Sequence, residues 1–97
     1  MFARVTTVSV QPDQIANVTR IYNESIVPAV KAAHGNRGIT LLIDQATGVG
    51  VSITLWDTQA DGAAYDSSGV YREQVGKISA YFAGPPSLAT YEVAAQG

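Results

Sequence analysis

Between Gly38 and Trp56 the chain reads GITLLIDQATGVGVSITLW, and this stretch constrains the fold more than any other. Two apolar runs rich in β-branched residues flank a polar segment that ends in Gly48. β-Branched side chains are stiff at χ1 and favour extended backbone, so the pattern predicts a hairpin. Asp57 follows at once, and Thr58-Gln59-Ala60-Asp61 fits a capping box that opens a helix.

The flanking segments complete the order of elements. Phe2–Val10 is rich in valine and threonine and reads as a strand. Gln11-Pro12-Asp13 opens a helix, since proline is tolerated in a first turn and Asp13 complements its positive end. Ile15, Val18, Tyr22, Ile26, Val30 and Ala33 recur every three or four residues and form one apolar stripe. Pro28 lies within that stripe and has no N–H for the Glu24 carbonyl, which predicts a kink near Ser25–Val27. The segment should end at His34-Gly35-Asn36, with Gly35 as a left-handed cap. Strands are expected at Arg37–Asp44 and Val49–Trp56. The second helix should break at Ser67-Ser68-Gly69, where unpaired backbone groups would loosen the packing. It should resume over Val70–Phe82 with Tyr71, Val75, Ile78 and Phe82 on one stripe. Gly84-Pro85-Pro86 stops it, and Leu88–Ala95 forms the last strand.

The order β-α-β-β-α-β predicts a ferredoxin-like α+β sandwich, a four-stranded antiparallel sheet with helices on one face, as a single domain over residues 1–97. The apolar faces of the middle strands (Ile39, Leu41 and Ile43; Val51, Ile53 and Leu55) are expected to meet the helices. The opposite face would then carry Thr40, Leu42, Ser52, Thr54, Trp56, Thr90 and Glu92, with Arg4 and Thr6. Such a mixed face suits contact with a second sheet in a symmetric homodimer. Composition agrees: charged residues make up 14% of the 97, against roughly 25% in a typical domain.

Other classes are excluded on the same grounds. Net charge is −2 and no Lys/Arg run exists, so the phosphate neutralisation that drives nucleic-acid binding is missing. The absence of cysteine removes disulfides, thiolate nucleophiles and cysteine-ligated metals. The N-terminus lacks a basic segment followed by an apolar one, and no apolar run approaches the ~20 residues of a membrane span. A soluble cytoplasmic protein is expected, with no membrane partner.

The hairpin GVGVSITLW, the helix start after it, the tyrosine-bearing broken helix, the Pro-Pro stop and the strand TYEV together resemble the dimeric α+β barrel proteins, and within them the antibiotic-biosynthesis-monooxygenase-like group. The resemblance covers nearly the whole chain. It implies a homodimer in which two sheets close into a barrel with helices outside, and a pocket between sheet and helices in each protomer. Active members include cofactor-independent oxygenases of polycyclic aromatics and haem-degrading enzymes. Those use an asparagine on the first strand, a tryptophan on the third and often a histidine on the second helix. Trp56 matches the tryptophan. Strand one offers Arg4, Thr6 and Thr7 instead of asparagine, and Tyr65 falls roughly where the histidine would be.

The candidate ligand-binding residues are Trp56, Tyr65, Tyr22 and His34. Trp56 can stack on an aromatic ligand or seal the barrel or the dimer interface, its N–H needing one partner. Tyr65, beside the helix break, is the better pocket candidate, whereas Tyr22 and Tyr71 lie on helix stripes. His34, the only histidine, can act as a base or ligand, or simply complement a helix C-terminus. Asp57 and Asp61 read as caps. Gly48-Val49-Gly50 opens no helix and is no phosphate loop, and the serine pair has no adjacent base. No catalytic residue, metal or cofactor is expected. The leading expectation is a dimeric domain that binds an apolar or aromatic small molecule. The alternatives are a cofactor-independent monooxygenase acting on a phenol or quinol, and a purely structural or regulatory dimer.

Overall fold

In the computed structural model, which describes all of residues 1–97, four strands and a set of short helices follow the expected order. Strand β1 spans Phe2–Ser9. Helix α1 (Ile15–Ile21) is entered through a tight turn at Pro12–Gln14 and runs through a wide π-type turn at Tyr22–Ile26 into α2 (Val27–Lys31). Strands β2 (Asn36–Ile43) and β3 (Val49–Trp56) form the hairpin. Helices α3 (Gln59–Asp66) and α4 (Gly69–Gly76) and strand β4 (Ser87–Glu92) complete the chain. The antiparallel sheet has the order β2-β3-β1-β4, and the helices pack on one side of it.

Each boundary has a local cause. The π-type turn sits where Pro28 cannot donate to Glu24. One residue is absorbed, and the Val27 N–H reaches back five residues to the Tyr22 carbonyl. The hairpin turn is held by Asp44, whose carboxylate accepts from the backbone N–H groups of Ala46 and Thr47 at 2.9 and 3.3 Å. Gly48 closes it at φ +81°, with the Val10 carbonyl 2.3 Å from where a Cβ would stand, so no side chain fits there. Thr58 caps α3 by accepting from the Asp61 N–H at 3.1 Å.

The break between α3 and α4 differs from expectation. Ser68 accepts from the Tyr71 N–H at 3.2 Å and its hydroxyl donates to the Tyr65 carbonyl at 2.6 Å, while Ser67 donates to the Ala63 carbonyl. The serines therefore satisfy the backbone groups that the break frees, and the junction is a capped corner rather than a loose one. Helix α4 also ends sooner than expected, at Gly76, and Ile78 and Phe82 are carried by the turn that follows.

The largest correction concerns the faces of the sheet. Directly paired residues share a face, and the register aligns Ile39 with Thr54, Thr54 with Arg4 and Arg4 with Thr90. The helix-facing side therefore carries Arg4, Thr6, Val8, Ile39, Leu41, Ser52, Thr54 and Trp56. Val51, Ile53 and Leu55 point away from the helices, opposite to expectation, while Ile39, Leu41 and Ile43 face them as expected. Trp56 decides the matter. It is 1% exposed and carries the largest apolar surface on β3, so its burial under α3 takes Ser52 and Thr54 inward with it. Both hydroxyls find partners there: Ser52 bonds the Tyr22 hydroxyl, and Thr54 accepts from the Trp56 indole N–H at 2.9 Å.

The buried core lies between sheet and helices and comprises Val8, Val10, Ile15, Val18, Tyr22, Ile26, Val30, Trp56, Tyr65 and Ile78. The other side of the sheet is uncovered. Its cross-strand rows run Leu42-Val51-Thr7-Ser87, Thr40-Ile53-Val5-Ala89 and Gly38-Leu55-Ala3-Tyr91, with no charged residue among them. Leu42 and Tyr91 are 52% and 58% exposed. No helix is long and apolar enough to cross a membrane.

Candidate functional site

A cavity of about 110 Å³ lies between the sheet and the helices. Its apolar wall comes from Val8, Val10, Val18, Ile26, Val30, Ile39, Leu41 and Ile78. These are inward residues of the strands, the stripe of the first helix and Ile78 from the turn after α4, so the cavity is a gap in the core rather than a groove added to the surface. A polar strip crosses it. Tyr22, on the π-type turn, bonds Ser52 of β3. Arg4, the third residue of β1, pairs with Asp66, the last residue of α3, at 2.5 Å. Tyr65, Tyr71 and Gln74 complete the strip from the side of α3 and α4.

The environment shifts several protonation equilibria. Burial raises the Tyr22 hydroxyl above its ordinary value, partly offset by the bond to Ser52. The Tyr65 and Tyr71 hydroxyls are raised first by burial and then by neighbouring charge, with Arg4 pulling Tyr71 back. Burial also raises the Asp66 carboxyl against the opposing pull of the Arg4 guanidinium. All three tyrosines are thus held as neutral hydroxyls, able both to donate and to accept.

The four ligand-binding candidates from the sequence separate in space. Tyr22 and Tyr65 both line the cavity. Trp56 lies behind it, packed against Tyr65 with ring centroids 5.4 Å apart and planes tilted by 31°. It is buried in the core of its own protomer, on the helix-facing side of the sheet and away from the uncovered side. His34 stands apart, its side chain 96% exposed and 3.8 Å from Asp61. It borders a separate open depression between α2 and α3 that is lined by Ala29, Ala32, Ala33 and Ala64. No group of three or more His, Asp or Glu side chains is placed to hold a metal ion.

Sequence reasoning did not single out Arg4, Asp66 or Gln74 for this site. Gln74 is buried and accepts from the Ser25 hydroxyl at 2.8 Å, and that hydroxyl accepts in turn from Lys77 Nζ at 2.7 Å. A glutamine within an otherwise apolar helical stripe was an available signal. For Arg4 the signal was its position in register with Thr54, which becomes visible only once the pairing is known.

The antibiotic biosynthesis monooxygenase family model matches residues 1–77. The chain belongs to that family. Solved structures agree on the fold. A candidate family member from Bordetella bronchiseptica superposes with a TM-score of 0.84 at 19% identity, covering 94% of each chain. One from Deinococcus radiodurans gives 0.81 at 14% identity, over 100% of this chain and 95% of the other. Among curated relatives, an uncharacterised Mycobacterium tuberculosis protein is 27% identical over 98% of this chain. The chain spans 42% of that relative's length.

Proposed function

We propose that residues 1–97 form one domain that works as a homodimer, and that each protomer holds a small aromatic molecule in the cavity between sheet and helices. The observation that carries the ligand is the cavity itself: an apolar wall crossed by one polar strip, the usual composition of a small-molecule site. Its size sets the class. An engineered apolar cavity of roughly 150 Å³ takes up benzene, so a single substituted ring fits here with small side-chain adjustments. The dimer rests on the uncovered sheet face, whose cross-strand rows are free of charge and suit the same face of a second copy.

Because Trp56 is the only tryptophan and touches Tyr65, its fluorescence reports on ligand entry. Saturable quenching by hydrophobic phenols is expected. Tyr65→Phe should weaken binding by about 0.5–1.5 kcal/mol, the net worth of one hydrogen bond. Quenching that rises linearly without saturation would count against a specific site.

Membership of the family, together with the neutral tyrosine hydroxyls along the strip, favours a second reading: oxygenation of a bound phenol or quinol without a cofactor, the substrate itself supplying the electrons to dioxygen. Tyr65 would orient such a substrate. Oxygen uptake with hydroquinones, compared between the wild type and Tyr65→Phe, tests it, and equal uptake in the two proteins would count against it.

A further inference from the structure

The Arg4–Asp66 pair is not explained by stability. Its side chains are only 21% and 24% exposed and face an apolar cavity, where the cost of desolvating two charges commonly cancels their attraction. Yet the seat of the pair is built with care. Gly62 of α3 lies over the Arg4 stem, and a Cβ there would stand 3.2 Å from both Arg4 Cδ and the Trp56 ring. The absence of that side chain lets the arginine lie flat beneath the helix. One guanidinium nitrogen takes Asp66 and another reaches Thr90 Oγ1 at a long 3.4 Å, which leaves donors of a five-donor group uncommitted. The Asp66 carboxylate likewise keeps acceptor capacity. Tyr65 and Tyr71 line the same cavity as the pair.

We propose that Arg4 and Asp66 together select the ligand by anchoring a neutral ring hydroxyl, which donates to the Asp66 carboxylate while its oxygen accepts from the Arg4 guanidinium. This rests on the cavity being the ligand site. The pair has no net charge, so it offers a donor and an acceptor side by side. A ligand without a hydroxyl leaves both unmet, and an aromatic carboxylate meets the repulsion of Asp66. The groups facing the anchored hydroxyl are Arg4 from β1, Asp66 and Tyr65 from α3, Tyr71 from α4 and Tyr22 from the first helix.

The test compares phenol, toluene and benzoate, three single-ring probes, by Trp56 fluorescence and calorimetry on the full chain. Phenol should bind about tenfold or more tightly than toluene, the worth of hydrogen bonds to charged groups. Benzoate should bind more weakly than either. In Asp66→Asn and in Arg4→Met the preference for phenol should fall below about threefold while toluene binding changes little. A second readout is indifferent to a purely structural role. With 4-nitrophenol as chromophore, the bound probe should ionise at lower pH in Asp66→Asn than in the wild type, and at higher pH in Arg4→Met. Equal binding of phenol and toluene by the wild type, or the same titration in all three proteins, overturns the proposal and leaves the cavity reading intact. Failure of all three aromatic probes to bind overturns both.

Discussion

At the scale of single residues, the cavity strip stores a pH dependence whose sign is set by burial. Tyr22, Tyr65 and Tyr71 all have hydroxyls raised above the ordinary 10.0. Below pH 10 both folded and unfolded chains hold these protons, and the contribution to stability is fully present. Above it the unfolded chain releases protons that the folded chain keeps. Stability must therefore fall as pH rises from 10 through the raised values. Denaturant midpoints measured across alkaline pH should decline over that window, and less steeply in Tyr22→Phe. Asp66 works at the acid end in the same direction. Its carboxyl is raised above 3.8, so the folded chain binds the proton more tightly and loses stability as pH climbs from about that value through the raised one. Asp66→Asn should remove that part of the slope. Gly62 is the residue-scale constraint on packing. Gly62→Val should cost about 1–3 kcal/mol by overfilling the space beside Trp56 and Arg4, with a shifted Trp56 emission as its signature.

At the scale of elements, the helical layer is held by its ends and corners as much as by its stripe. Ser68 caps α4 and ties the corner to α3, so Ser68→Ala should cost about 0.5–2 kcal/mol. Ile78 is 8% exposed and anchors the segment after α4 in the core. Ile78→Ala is expected to cost about 2–5 kcal/mol, a large part of the margin of about 5–15 kcal/mol usual for a domain. Val70→Ala, at a position 46% exposed, should change stability by less than about 0.5 kcal/mol and serves as the control. Chemical denaturation of the three variants ranks these positions. A loss at Val70 as large as that at Ile78 would mean that α4 packs differently.

At the scale of the whole molecule, the uncovered sheet face is the dominant fact. A charge-free, largely apolar sheet face of this kind is unusual on a lone protomer and suits the proposed pairing with a second copy. Lysine at Ile53 would place two unpaired charges in the proposed symmetric interface. At about 3 kcal/mol or more per buried, unpaired charge, the dissociation constant should rise by a hundredfold or more. Light scattering at micromolar concentration should find a dimer for the wild type and a monomer for Ile53→Lys. Thr54→Lys, one residue along, points into the cavity instead. It should impair quenching by phenols while leaving the mass of the assembly unchanged. A monomeric wild type would end the dimer proposal.

The order of elements, the hairpin, the Pro28 distortion and the Thr58 cap were all legible in the sequence, because each is decided within a few residues by turn chemistry, a missing N–H or a capping hydroxyl. Tyr22 and Tyr65 were both nameable as candidates, but helix periodicity placed Tyr22 on the core stripe, and Tyr65 was reached through a looseness at Ser67-Ser68-Gly69 that the serine caps remove. Which face of β3 turns inward was not legible. Alternation shows that Val51, Ile53 and Leu55 share a face, but only the neighbouring strands and the helix above decide whether one buried tryptophan outweighs three aliphatic side chains. Once Trp56 goes in, Ser52 and Thr54 must follow, and long-range partners such as Tyr22 make that tolerable. Arg4 and Asp66 lie 62 positions apart in the chain and meet only because β1 runs beneath the end of α3. Local sequence carries the elements, whereas the site is made by pairings between distant residues, which no local pattern encodes.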